Sequence, residues 1–251
     1  MTWTNPLKAR WAAGETTFGL WCTTANAAQA EYAATTSVDW ILWDQQHGLV
    51  TDADLADVFR GCRGTDVVPL ARVAANDLTL IGRALDAGAA GVVVPLVNTP
   101  EEAAAAAAAC RFMPNGQRSF GPNRVTIVVG GLDPRVVEDV ACIVMIETAT
   151  GLANADAIAA TPGVDAILIG PSDLALGLGL AFNDRGETHQ RAVQTILDAA
   201  RGAGKAAGIV LASGETSRAH AAMGFQFMNV TSDVGALMDG VERELRVARG
   251  Q

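Results

Sequence analysis

The chain has 251 residues, half of them hydrophobic and 18% charged, a composition that belongs to a folded globular protein and excludes intrinsic disorder and a coiled coil. Lys and Arg total 18 against 27 Asp and Glu, and the formal charge of −9 would repel a polyphosphate backbone, so no nucleic-acid partner is expected. The longest monotonous apolar stretch, alanines 103–109, falls far short of the roughly 20 residues of a membrane span, and MTWTNPLKARWAAGETT lacks the apolar segment of a secretory signal; a cytoplasmic protein with no membrane partner is expected.

Short aliphatic or β-branched runs alternate with amphipathic stretches along the whole chain. A strand is predicted at 18–22 and a helix at 27–34. Then come strand 40–43 with helix 51–63, strand 68–73 with helix 78–87, and strand 91–96 with helix 100–111. The second half repeats the pattern with strand 143–147 and helix 152–160, strand 166–169 and helix 189–203, strand 207–211 and helix 215–223, and strand 225–230 and helix 234–247. Thr51-Asp52, Asp77, Thr99-Pro100-Glu101 and Ser213 are suited to begin helices, and Gly64, Gly88, Gly204 and Gly224 to end them. Eight strands alternating with eight helices in about 250 residues predict a single-domain (β/α)8 TIM barrel over residues 1–251. An open doubly wound sheet is the alternative, but no GxGxxG follows the first strand. Two long connections remain, 114–141 and 171–188, the first with a small helix expected at 133–140. Cys22, Cys62, Cys110 and Cys142 form no CxxC pair and read as buried reduced thiols.

Barrel chemistry is built at the C-terminal ends of the strands. The polar groups there are Asp44 and His47 after the second strand, Arg72 in the third, Glu147 after the fifth, and Ser172 with Asp173 after the sixth. Each alone could cap a helix or close an ion pair, and Arg72 has Asp44 or Glu147 as such a partner; acids, imidazole and guanidinium on one rim together point to a site. Glu147 and Asp173 make an oxygen-only ligand pair, which suits a hard divalent cation, Mg2+ or Mn2+, with Co2+ or Zn2+ as further candidates. Arg72 offers a planar donor fork for a carboxylate or a developing enolate oxygen. His47 is the one histidine of three on this rim, since His189 and His220 fall on predicted helices, and it is placed for proton transfer. The chain has two lysines, Lys8 near the N-terminus and Lys205 before the seventh strand, so a Schiff-base mechanism finds no amine at the rim.

The segments VDWILWDQQHG (38–48), PLARV (69–73), LDAGAAGVVVPLVNTPEEA (85–103), GQRSFGP (116–122), IE (146–147) and IGPSDLALGLG (169–179) resemble the HpcH/HpaI aldolase family, in order and from about residue 18 to 232. The resemblance implies a class II, metal-dependent aldolase that reversibly cleaves 4-hydroxy-2-oxo acids to pyruvate and an aldehyde. It implies Glu147 and Asp173 as metal ligands, and Arg72 as the group on the keto oxygen and enolate. His47 would be the base acting through water, with Asp86 raising its basicity, and Ser172 and Asp173 would help bind the substrate. Asp86 falls near the end of a predicted helix and not on the rim. Gln46 stands where many members have Glu, and Met145 where a Gln is frequent, which opens hydroxypyruvate as a donor beside pyruvate. The family is also similar in forming homo-hexamers, trimers of dimers with a swapped C-terminal helix, for which 234–247 is the candidate. Two other readings stand beside the aldolase: a CoA-ester lyase of the citrate lyase β-subunit type, and a non-enzymatic barrel.

Overall fold

A computed structural model describes residues 3–121 and 124–251. Its elements run α1 (Pro6–Ala12), β1 (Thr17–Cys22), α2 (Ala27–Ala34), β2 (Trp40–Asp44), α3 (Asp52–Gly61), β3 (Val68–Arg72), α4 (Leu78–Ala87), β4 (Gly91–Val94) and α5 (Pro100–Ala109). Two short helices, α6 (Val125–Val129) and α7 (Pro134–Val137), precede β5 (Ala141–Ile146), which is followed by α8 (Ala149–Ala153) and α9 (Ala155–Ala159). The chain ends with β6 (Ala166–Ile169), α10 (Pro171–Gly177), α11 (Glu187–Gly202), β7 (Ala206–Ile209), α12 (Gly214–Met223), β8 (Phe227–Ser232) and α13 (Asp233–Ala248). The strands pair in parallel and in sequence order, and β8 closes on β1. The expected (β/α)8 barrel is the observed fold. No described helix is long and apolar enough to cross a membrane.

Strand alternation divides the core into two layers. Trp40, Leu42, Val68, Leu70, Ile143 and Met145 fill the barrel, while Ile41, Trp43, Ala71, Val144 and Ile146 face the helices. The interior is filled by pairing large residues with small ones. A Cβ on Gly19 would overlap the Trp40 ring, and Trp40 stacks on Phe227 with centroids 4.3 Å apart. The same parity continues upward. Positions 40 and 42 put Asp44 inward, 68 and 70 put Arg72 inward, 143 and 145 put Glu147 inward, and 166 and 168 put Gly170 inward.

The lower end of the barrel is stopped by α1. Asn5 accepts from the Leu7 and Lys8 amides, Pro6 begins the helix, and Leu7 and Trp11, one turn apart, are buried with the barrel interior. Trp11 meets Phe227 edge-on at 5.4 Å, and the Asn5 amide donates to the Ala90 carbonyl. This helix is absent from the expected elements. The helix expected at 152–160 is two, because Asn154 leaves helical geometry (φ −104°, ψ 10°) and donates its amide to the Asn98 carbonyl. The helix expected at 133–140 shortens to α7, and the connection after β6 carries α10. Cys22, Cys62, Cys110 and Cys142 are all buried and free.

Candidate active site

The upper rim is organised around an ion pair. Asp44 and Arg72 are neighbours in the β2–β3 register and are 1% and 7% exposed. The carboxylate accepts from Arg72 Nε at 2.8 Å through one oxygen and from Nη2 through the other, a two-point contact that fixes the guanidinium plane. Trp21 donates its indole N–H to Asp44 Oδ2 at 3.3 Å, and its ring lies 4.9 Å beneath the guanidinium. Burial pushes the Asp44 carboxyl up, but the hydrogen bonds and charge of Arg72, with the Gln46 and His47 amides, outweigh it and hold the group below its ordinary value. The ion-pair alternative for Arg72 is therefore present, and it leaves one donor over: Nη1 meets only the Met145 sulfur, 4.0 Å away and a weak acceptor.

Asp44 also shapes the next turn. Its Oδ1 accepts from the Gln46 amide at 3.0 Å and the His47 amide at 3.3 Å, so the residue that holds Arg72 also sets the backbone carrying His47. The His47 side chain is exposed at the mouth. Gln46 Oε1 is buried and has no donor among the described residues.

Glu147 follows β5 and is 2% exposed. Its Oε1 accepts from the Leu96 amide at 2.8 Å. Its Oε2 faces Gly170, where a Cβ would overlap it. Burial raises the Glu147 carboxyl; the Leu96 N–H opposes this, the charge of Asp173 adds to it and that of Arg72 opposes it, and the net shift is upward. Asp173 lies in the first turn of α10, exposed, and accepts no hydrogen bond among the described residues. Beside it, Ser172 Oγ lies 3.3 Å from both Asn183 Oδ1 and Arg185 Nη2.

The barrel thus gathers Arg72, Glu147, Asp173 and Ser172 at one end, with His47 on the turn held by Asp44. Asp86 is not brought to them within one chain. It occupies the last turn of α4, where the chain has returned to the lower end of the barrel, and pairs with buried Arg118 at 2.7 Å. Lys8 is also at the lower end, bound to Asp139 at 2.8 Å and Asp165 at 3.4 Å, and Lys205 directly precedes β7. The sequence offers Asp44 as an ion-pair partner of Arg72, which is the pair observed, but not its hold on the His47 turn, nor a role for Gly170 or Asn98. Strand parity was the available signal for Gly170.

A family model described as HpcH/HpaI aldolase/citrate lyase matches residues 17–240. A 2-dehydro-3,6-dideoxy-6-sulfogluconate aldolase of Pseudomonas putida is 34% identical over 236 residues, which is 93% of this chain and 92% of that protein. A hydroxypyruvate/pyruvate aldolase of Chromohalobacter salexigens is 36% identical over 238 residues, 93% of each. The crystal structure of an HpcH/HpaI aldolase/citrate lyase family protein from Burkholderia cenocepacia matches with a TM-score of 0.89 at 32% identity, over 98% of this chain and 100% of that one. Fold, rim and relatives together define a barrel carbon–carbon lyase. The chain belongs to the HpcH/HpaI aldolase/citrate lyase family and is an aldolase.

Proposed function

We propose that the chain reversibly cleaves 4-hydroxy-2-oxo acids to an aldehyde and pyruvate or hydroxypyruvate, with a divalent cation, Mg2+ or Mn2+, held by Glu147 and Asp173. One observation carries this reading: a buried carboxylate with one oxygen tied to a backbone amide and the other facing Gly170, beside a second carboxylate that accepts no hydrogen bond among the described residues. Two neighbouring acids, one of them pushed upward by burial and by the other, form a pair that a cation relieves. Among the described residues no group of three or more ligating side chains exists, so water and substrate oxygens would complete the shell, as hard cations held by one or two carboxylates allow.

The cation would supply positive charge at the keto oxygen and carboxylate of the substrate. The protein does the rest. Arg72, its plane set by Asp44, offers Nη1 to the keto oxygen as that oxygen becomes an enolate, a preorganised donor that needs no reorientation. His47, through water, takes the C4 hydroxyl proton as the C3–C4 bond breaks. Ser172 binds the substrate carboxylate. Asp86 of the same chain is held away by Arg118, so its expected role beside His47 would require the Asp86 of another subunit. A homo-hexamer, a trimer of dimers, is supported by α13, whose Leu237, Met238, Val241 and Leu245 are exposed in an apolar stripe. For the donor, a 36% identical relative named a hydroxypyruvate/pyruvate aldolase supports hydroxypyruvate beside pyruvate.

The test is deuterium exchange into the pyruvate methyl group, followed by NMR, with metal-stripped protein and after adding Mg2+, Mn2+ or Co2+. Exchange only with metal is expected. Absence of exchange from both pyruvate and hydroxypyruvate with every metal would overturn the proposal.

A further inference from the structure

Leu96 follows β4 with φ of 55°, one of two non-glycine residues in the left-handed region among those described. A side-chain-bearing residue there costs about 1–2 kcal/mol, and such strain persists only where neighbouring contacts impose it. The turn aims two N–H groups at β5 and its end: that of Leu96 donates to Glu147 Oε1 at 2.8 Å and that of Val97 to the Met145 carbonyl at 3.1 Å.

Asn98 holds the turn from its C-terminal side. Its side-chain amide donates to the Leu96 carbonyl at 2.7 Å, and its Oδ1 accepts from the hydroxyl of Thr148, the residue after Glu147. Its backbone is held as firmly: the N–H donates to Glu102 Oε2 at 2.6 Å and the carbonyl accepts from Asn154 at 2.8 Å. One side chain therefore clips the loop that supplies the amide to the loop that carries the carboxylate. Only an amide can do this, since the clip needs a donor at one atom and an acceptor at the other; aspartate lacks the donor and serine the span.

We propose that Asn98 is a positioning residue for Glu147: by clipping Leu96 to Thr148 it commits Oε1 to the backbone and leaves Oε2 as the single oxygen presented to the cation. This rests on the reading of Glu147 as a metal ligand. Loss of such an outer contact characteristically weakens metal binding by about 10–100-fold.

The experiment measures Mn2+ affinity of the full-length protein by calorimetry without substrate, alongside thermal unfolding, for the parent, Glu147→Gln, Asn98→Ala and Glu102→Gln. Glu147→Gln should abolish binding; if it binds as the parent does, the metal assignment itself falls. With that loss in hand, Asn98→Ala should bind about 10–100-fold more weakly while folded at the assay temperature. Glu102→Gln, which alters a carboxylate whose one hydrogen bond among the described residues is from the Asn98 N–H, should lower the melting temperature and leave affinity within twofold. Asn98→Ala within twofold of the parent would overturn the inference, because a merely structural asparagine would change stability alone. Should Asn98→Ala not fold, Asn98→Ser is read by the same criterion.

Discussion

Gly170→Ala isolates the space in front of Glu147. The residue has φ −92° and ψ 92°, a backbone open to any side chain, so alanine introduces no conformational strain and changes only what fills the gap. Its Cβ would overlap Glu147 Oε2 and stand 3.0 Å from Glu147 Cβ and 3.2 Å from Met145 Cε. The methionine end can swing away; Glu147 Cβ, fixed next to β5, cannot. The carboxylate must move by about 1 Å, a displacement that costs on the order of 10²-fold in a positioned catalytic group, or about 2.8 kcal/mol. We expect metal-dependent exchange of the pyruvate methyl protons to fall about 100-fold, with Mn2+ affinity falling alongside it, in a protein destabilised by about 1–3 kcal/mol from overpacking. Exchange and affinity both within twofold of the parent would show that Oε2 does not work toward Gly170. Gly82→Ala is the control: nothing lies within 4 Å of its Cβ, and inside α4 it should add about 1 kcal/mol of stability without touching turnover.

Arg72→Lys keeps the charge beside Asp44 but loses the fork, and exchange should drop about 10²-fold or more; turnover near that of the parent would remove Arg72 from the enolate oxygen. His47→Ala should reduce cleavage on the order of 10²-fold with Mn2+ affinity retained, and an unchanged rate would move proton transfer to another group. Asp233, at the start of α13, accepts from the amides of Thr23, Thr24 and Val234 and from both threonine hydroxyls. Burial pushes its carboxyl up, but these donors more than offset that and hold it below the ordinary value. The stability it contributes is therefore present above the unfolded carboxyl pKa and is lost as pH falls through the lower folded one. Asp233→Asn should cost about 1.5–3 kcal/mol at neutral pH by denaturant titration and flatten the acid limb of stability; an unchanged acid limb would refute this anchoring. Leu237→Asp with Val241→Asp should reduce the particle mass in light scattering, and an unaltered mass would dissociate α13 from assembly.

Most of the barrel is legible because its strands are short apolar runs whose alternation also assigns the inward face. Trp40 and Leu42 predict an inward Asp44 as directly as they predict a core, and the same holds for Arg72 and Glu147. Helix ends at Asp77 and Gly88 are local chemistry and fall where expected. The divided helix around Asn154 is not local: its amide is drawn out by Asn98, more than fifty residues earlier. The roles of Asn98 and Gly170 are hidden for the same reason, since each acts on a residue of a different strand or loop, whereas the Asp44–Arg72 pair is among the expected partners. Asp86 shows the converse. Its motif is plain in the sequence, but the return path of α4 carries it to the other end of the barrel. The stopper helix α1 was missed although Asn5, Pro6 and the spacing of Leu7 and Trp11 announce it.

The filled interior gives the rim one side of approach. Trp40, Leu42, Leu70 and Met145 pack beneath Arg72 and Glu147, with Leu7 and Trp11 below them, so on the proposed reading the 2-oxo acid sits deepest and the carbon it bonds to lies above it. Such an arrangement empties like a stack, last in and first out. On that reading the aldehyde is expected to depart before the 2-oxo acid in cleavage, and the 2-oxo acid to be seated first in the addition direction.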